Sequence, residues 1–330
     1  MYKLNSIIMN HDKIHQYKTI SLGIFDSSSE IYYQLGKSKS SPESLYEIGS
    51  LTKTFTALAI SDLSISGVIN LSDKLHKILS PFSSTSPLGN QKVINFLQHT
   101  SGLPKNPDIQ HCPNPRRQVT FNSLKQLIQY TKLNPSSDYS YSNFGYGILG
   151  TILKEKLSSS LDEIYLDFLF KHIDLKQTVL RTKKIESVLT GYDNQNPVSS
   201  IYWDKNAFLG SGGGLVSCTS DLTKYARNVI FGDNKFTPAL KQCLENKLII
   251  TSNYHTGLGW KYHPILNIYW HDGITPGFRS FWGFNYDKNI SVCLLANSSV
   301  PEIKDDFYPG EFDNLGFEII KEIDIKKTQR

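Results

Sequence analysis

Ser50 and Lys53 stand three positions apart in Tyr46-Glu47-Ile48-Gly49-Ser50-Leu51-Thr52-Lys53, a spacing that on a helix puts both side chains on one face. A serine hydroxyl is a weak nucleophile until a neighbouring base takes its proton, and a lysine amine can be that base. Gly49 interrupts the strand-like run before the pair, and Phe55, Leu58, Ala59 and Leu63 recur after it at helical spacing. Ser50 is therefore expected at a helix start, where free backbone N–H groups and the positive dipole end favour an alkoxide and disfavour a protonated Lys53. No second Ser-x-x-Lys occurs in the chain, although both residue types are abundant. The plainer alternative makes Ser50 only an N-cap and Lys53 a solvated side chain.

Two later segments carry complementary groups. Tyr141 and Asn143 lie in the stretch Pro135 to Gly150, a polar loop that leads into an apolar, Gly-spaced helix. A phenol can relay a proton, and an amide can hold both an amine and a substrate carbonyl. His271-Asp272-Gly273 closes a strand-like run, and a donor followed by glycine lets a substrate lie close against the backbone. Each triplet alone is weak: Tyr141 and Asn143 read equally as loop hydrogen-bonders and His271 as an ordinary strand histidine. Arg279 has two readings, a clamp for a substrate carboxylate or a surface salt bridge. Gly210-Ser211-Gly212-Gly213-Gly214 lacks the Gly-Lys-Ser/Thr of a phosphate loop and reads as a close approach of backbone to the site. Gly-x-Ser-x-Gly is absent, which argues against an α/β-hydrolase.

These groups must be held by elements far apart in the chain. Lys18 to Phe25 and Ile31 to Leu35 read as a hairpin around Asp26-Ser27-Ser28-Ser29. Strand character returns in Thr256 to His263, Ile265 to His271, Arg279 to Asn285 and Ile290 to Ala296. Between the two groups the periodicity predicts helices at Leu51 to Ser66, Gln91 to Gln98, Phe121 to Thr131, Phe144 to Lys156, Leu161 to Lys171 and Ser220 to Ile230, with a last amphipathic one at Asn314 to Ile323. The expected fold is α+β: one antiparallel sheet completed by both ends of the chain, flanked by helices, with a mostly helical region inserted. A single domain over 1–330 is expected, its α/β part at about 1–70 and 206–330 and its helical region at about 71–205.

Ser-x-x-Lys, then Tyr-x-Asn, then His-x-Gly, in that order, resembles the serine β-lactamase and penicillin-binding-protein superfamily. The closer resemblance is to its class C β-lactamase-like branch, with its D-alanyl-D-alanine carboxypeptidases, D-aminopeptidases and esterases. Phe96 to Pro104, Gly212 to Ser217 and His271 to Ser280 agree with that branch, and the likeness spans residues 18 to 297. The resemblance implies an acyl-enzyme on Ser50, proton transfer by Lys53 and Tyr141 with the acylation base left open between them, and positioning by Asn143. It further implies substrate contacts from His271 and Gly273, an oxyanion hole from the N–H groups of Ser50 and Ile274, and an architectural role for the His99 loop. The substrate class is a small ester, amide or D-amino-acid peptide. An acyltransferase, or a binding module without turnover, are the alternatives. His271 stands where classical β-lactamases carry lysine, so weaker carboxylate recognition and poor β-lactam hydrolysis are expected.

Composition agrees with a globular enzyme: 330 residues, 39% hydrophobic and 20% charged, with a formal net charge of +5. The basic residues are scattered, and Lys326-Lys327 reads as a solvated tail, so no nucleic-acid partner is expected. Four cysteines show no metal-ligand spacing, and neither a metal nor another cofactor is expected. Cys218 and Cys293 read as buried thiols. In Met1 to Tyr17 the apolar Ile7-Ile8-Met9 is broken by Asn10 to Lys13, which leaves no export or membrane segment and gives a cytoplasmic expectation. Oligomeric state is not legible.

Overall fold

Among the described residues, the first long strand pairs with the last long one. The computed structural model describes residues 16–27, 29–36, 40–80, 82–108, 114, 116–117, 121–134, 139–199, 201–299 and 309–328. In it, β1 (Thr19–Asp26) lies antiparallel to β2 (Ser29–Gly36) on one side and to Ile290–Ala296 on the other. β1 is buried along nearly its whole length, as a strand covered on both faces must be, whereas β2 is a half-exposed edge.

After β3 (Tyr46–Glu47) comes a tight 3-10 turn, Gly49–Leu51, and then helix α1 (Thr52–Ile65). Thr52 through Ser61 are all buried, so α1 is a core helix and not an amphipathic surface one. Its buried hydroxyls are satisfied: Thr54 donates to Leu51 O at 2.8 Å and Thr56 to Ser211 O at 2.6 Å. Helices Val93–Leu97, Phe121–Tyr130 and α2 (Asn143–Leu157) follow. A helical stretch then runs through Leu161–Glu163, Ile164–Phe170 and Lys171–Ile173, its middle section π-wound.

Short strands come next: β4 (Val179–Leu180), β5 (Tyr192–Asp193), β6 (Asn196–Pro197) and β7 (Leu215–Ser217). β3, β7 and β4 form a small sheet in that order beside the Gly49–Leu51 turn. Helices Thr219–Tyr225 and Thr237–Glu245 precede the closing strands. These are β8 (Leu248–Thr251), β9 (Tyr254–Thr256), β10 (Lys261–His263), β11 (Ile268–Thr275), β12 (Phe278–Asn285), β13 (Ile290–Ala296) and the short β14 (Ser298–Ser299). Helix α3 (Glu311–Thr328) ends the described chain. The eight-stranded sheet has the order β2-β1-β13-β12-β11-β10-β9-β8, antiparallel throughout.

Alternation along β12 divides the core. Trp282 points to the α1 side, where its ring centroid is 6.2 Å from that of Phe55, and Phe281 points to the α3 side, 5.5 Å from Phe317. The fold is thus the expected α+β arrangement of an antiparallel sheet flanked by helices.

Local expectations differ from the structure in several places, among them the following. The run Thr256 to His263 is not one strand, because Gly257 to Trp260 turn back so that Leu258 N–H reaches Cys243 O at 3.0 Å. β11 begins only at Ile268, since Asn267 adopts a left-handed φ of 51° at the turn before it. Helix Thr237–Glu245 was not expected, although Pro238 in its first turn is a usual start signal. Cys218, Cys243 and Cys293 are buried free thiols, while Cys112, Ser28, the loop 135–138 and the segment 1–15 lie outside the described residues. No helix among the described residues is long and apolar enough to cross a membrane.

Candidate active site

Lys53 is fully buried one helical turn from Ser50. Its Nζ lies 3.0 Å from Ser50 Oγ, 2.8 Å from Asn143 Oδ1 and 2.6 Å from Gly212 O, so the solvated alternative does not hold. Nor does Ser50 act as a side-chain cap: neither the turn nor α1 has a side-chain cap hydrogen bond. Burial drives the Lys53 amine well below its ordinary pKa; Asp272 opposes this, while Lys261 and Lys105 add to it.

Asn143 opens α2 immediately after Ser142, whose Oγ accepts from Gly145 N–H at 3.0 Å as the N-cap. The Asn143 amide is oriented from its far side, since its Nδ2 donates to Asn106 Oδ1 at 3.0 Å. Tyr141 is held by His99, which accepts from Ser140 N–H at its carbonyl (2.8 Å) and from Ser142 N–H at its Nδ1 (3.0 Å). The His99 ring lies 4.5 Å from the Tyr141 ring, and burial keeps it neutral by pushing its pKa well down. It brackets Tyr141. Lys53 Nζ sits 4.9 Å from the Tyr141 ring centroid.

β11 presses against the Gly49–Leu51 turn because two positions lack a Cβ. A Cβ on Gly273 would meet Ile48 O at 2.1 Å, and one on Gly49, whose φ is +49°, would meet Ile274 N at 2.9 Å. Ser280 Oγ–H donates to Ile48 O at 2.8 Å and fastens the same contact. The backbone of Ile274 therefore lies alongside that of Gly49-Ser50, while the Ile274 side chain projects outward, 47% exposed.

His271 faces a small recess that it shares with His99, Tyr141, Tyr254 and Lys261. Its Nδ1 is 2.7 Å from the carbonyl oxygen of Asp272. A carbonyl only accepts, so Nδ1 carries the proton and Nε2 offers a lone pair. Burial, reinforced by Lys261, pushes the ring pKa down to about 3. Instead of the expected donor to substrate, the ring is a neutral acceptor. Arg279 is buried in β12 opposite Ile274, which removes the surface salt-bridge reading, and it is not among the residues lining the cleft at Ser50.

Several groups escaped the sequence reading. Lys261 donates to Asp272 Oδ1 at 2.7 Å in an ion pair whose side chains are each 9% exposed. A cleft of about 180 Å³ opens at Ser50, lined among others by Arg116, Asn143, Ile201, Trp203 and Ile274. Only the alternation around Trp260 could have marked Lys261 as inward. Arg116 carried no local signal beyond its place in a Pro-rich stretch. A larger groove of about 340 Å³ between Phe170 and Ile185 contains none of these groups.

Residues 4–308 match the sequence profile of the Beta-lactamase family. The chain is 25% identical over 299 residues to Protein flp of Staphylococcus aureus (strain MW2), covering 86% of this chain and 58% of that protein, so it spans little more than half of that relative. With the Beta-lactamase of Providencia stuartii it shares 27% identity over 348 residues, covering 91% and 87%. Its fold matches the beta-lactamase/D-alanine carboxypeptidase of Pseudomonas syringae with a TM-score of 0.82 at 18% identity, over 97% and 99% of the two chains. The class C beta-lactamase of Rhodobacter sphaeroides superposes with a TM-score of 0.79 at 18% identity over the whole of both chains. With a profile match across nearly its full length and this fold, the chain belongs to the Beta-lactamase family.

Proposed function

We propose that the protein is a serine hydrolase that forms an acyl-enzyme through Ser50 on a small ester, amide or D-amino-acid peptide. The observation that carries this reading is the buried Lys53 amine, held by Asn143 and Gly212 within 3.0 Å of Ser50 Oγ. As a neutral amine it spends its two N–H bonds on those two acceptors and keeps its lone pair for the Ser50 proton. Ser50 Oγ bonds to the substrate carbonyl carbon, and its proton passes by way of Lys53 and Tyr141 to the departing alcohol or amine. Water, deprotonated by the same pair, then releases the acid and restores Ser50. The N–H groups of Ser50 and Ile274 serve as the oxyanion donors, each typically worth about 3 kcal/mol in the barrier. A neutral His271 supplies no fixed charge for a carboxylate on the leaving-group side, which favours esters and amides over β-lactams. D-amino-acid peptides enter as candidates through the carboxypeptidase among its structural neighbours.

The test is active-site labelling. A fluorophosphonate probe is expected to add once, at Ser50 by peptide mapping, with Ser50→Ala losing both the adduct and ester turnover. A label on a different serine, with Ser50→Ala still turning over nitrophenyl esters, would refute the reading.

A further inference from the structure

The cleft beside Ser50 is asymmetric in charge. Among its described lining residues, Arg116 is the one charged side chain; Ile201, Trp203 and Ile274 give it an apolar wall. A guanidinium stays protonated at any physiological pH and matches a carboxylate with paired N–H donors. Arg116 is exposed, and its side chain has no hydrogen-bond or ion-pair partner among the described residues. Its main chain is nevertheless anchored: Asp204 N–H donates to Arg116 O at 2.8 Å, and Phe208 N–H to Arg117 O at 3.1 Å. Those bonds tie the backbone of the arginine to the segment that carries Trp203.

The recess and the cleft are lined by different groups. Tyr141 and His271 line the recess and not the cleft; Arg116 and Trp203 line the cleft, as Ser50 does, and not the recess. A proton delivered through Tyr141 goes to the leaving group, which puts the leaving group toward Tyr141 and the acyl group in the cleft that Ser50 lines together with Trp203 and Arg116.

We propose that Arg116 is a specificity-determining residue that selects acyl groups with an apolar body and a carboxylate at the far end, such as half-esters or half-amides of dicarboxylic acids. The assignment rests on the hydrolase reading for the identity of the acyl side. It places the substrate's negative charge in the acyl group and not in the leaving group. An exposed ion pair is screened by salt, so the selectivity should weaken as ionic strength rises.

The experiment compares the mono-nitrophenyl ester of adipic acid with nitrophenyl hexanoate, which share leaving group and chain length and differ in the terminal carboxylate. The wild-type enzyme is expected to show the higher kcat/KM on the adipate half-ester, mainly through KM. In Arg116→Gln the ratio of the two efficiencies should fall at least about fivefold, and Arg116→Lys should restore much of it. A wild-type preference for hexanoate, or the same ratio in Arg116→Gln, would overturn the assignment. Calorimetric binding of the mono-anilide of adipic acid and of hexananilide to Ser50→Ala, with and without Arg116→Gln, reads the same selectivity without turnover. If neither ester is hydrolysed through Ser50, the hydrolase reading falls, and these binding ratios still decide whether Arg116 selects the carboxylate.

Discussion

Lys53 has three acceptors around Nζ and, once neutral, only two N–H bonds to give them; that shortfall is what turns Ser50 into a donor. On the proposed reading turnover needs the neutral amine, so kcat/KM should fall as pH drops through the amine's lowered pKa. Burial is the main cause of the lowering, with the buried Asp272 and Lys261 acting in opposite senses. Asp272 favours the charged amine, so Asp272→Asn should move the acid limb of the pH profile to lower pH. Lys261 disfavours it, so Lys261→Met should move the limb to higher pH. Profiles of kcat/KM for a nitrophenyl ester read both shifts, and movement of the two variants in the same direction would break the assignment of Lys53 as the titrating base. His271, with a pKa near 3, should contribute no limb between pH 5 and 8. An isolated histidine would titrate there.

At the level of elements, the site depends on how closely β11 can approach the Gly49–Leu51 turn. Gly273→Ala puts a methyl group where Ile48 O already sits, at 2.1 Å, so strand and turn must separate. Such a shift misaligns the Ile274 N–H with the developing oxyanion. The expected result is a loss of at least about a hundredfold in kcat with a smaller change in KM. A near-normal kcat in a folded Gly273→Ala would mean that Ile274 N–H takes no part. Ser50, Lys53, Tyr141 and Asn143 were legible because each sits at a boundary with its own signal: a glycine before a helical period, a polar loop before a Gly-spaced helix. The long strands were legible for the same reason. β9 and β10 were not, because the turn between them is fixed by Leu258 N–H on Cys243 O, a contact across the fold. Lys261 and Arg116 were hidden likewise, their settings made by Asp272 and by the Asp204 segment. The tautomer of His271 depends on its reach to the next residue's carbonyl, which no residue pattern encodes.

For the molecule as a whole, α3 is the clasp over the outer face of the sheet. Phe317 meets Trp270 at 5.2 Å, Phe281 at 5.5 Å and His263 at 6.0 Å between ring centroids, so one side chain joins three strands. Phe317→Ala should lower unfolding free energy by about 3–5 kcal/mol, measured by urea denaturation. A loss under about 1 kcal/mol would show that α3 is not integral to the core. The pairing of β1 with β13 also bears on how the protein is made. Phe25 opposes Ser291, so β1 has no partner on that side until ribosomes have added well over two hundred further residues. At roughly 5–20 residues per second, that is on the order of 10 to 50 seconds during synthesis when the hairpin carries an open edge. Ile274 and Gly212 emerge late in the same interval, long after Ser50 and Lys53. On the proposed reading, a nascent chain carries Ser50 and Lys53 well before Gly212 and Ile274 exist, and acylation would begin only when the last strands are in place.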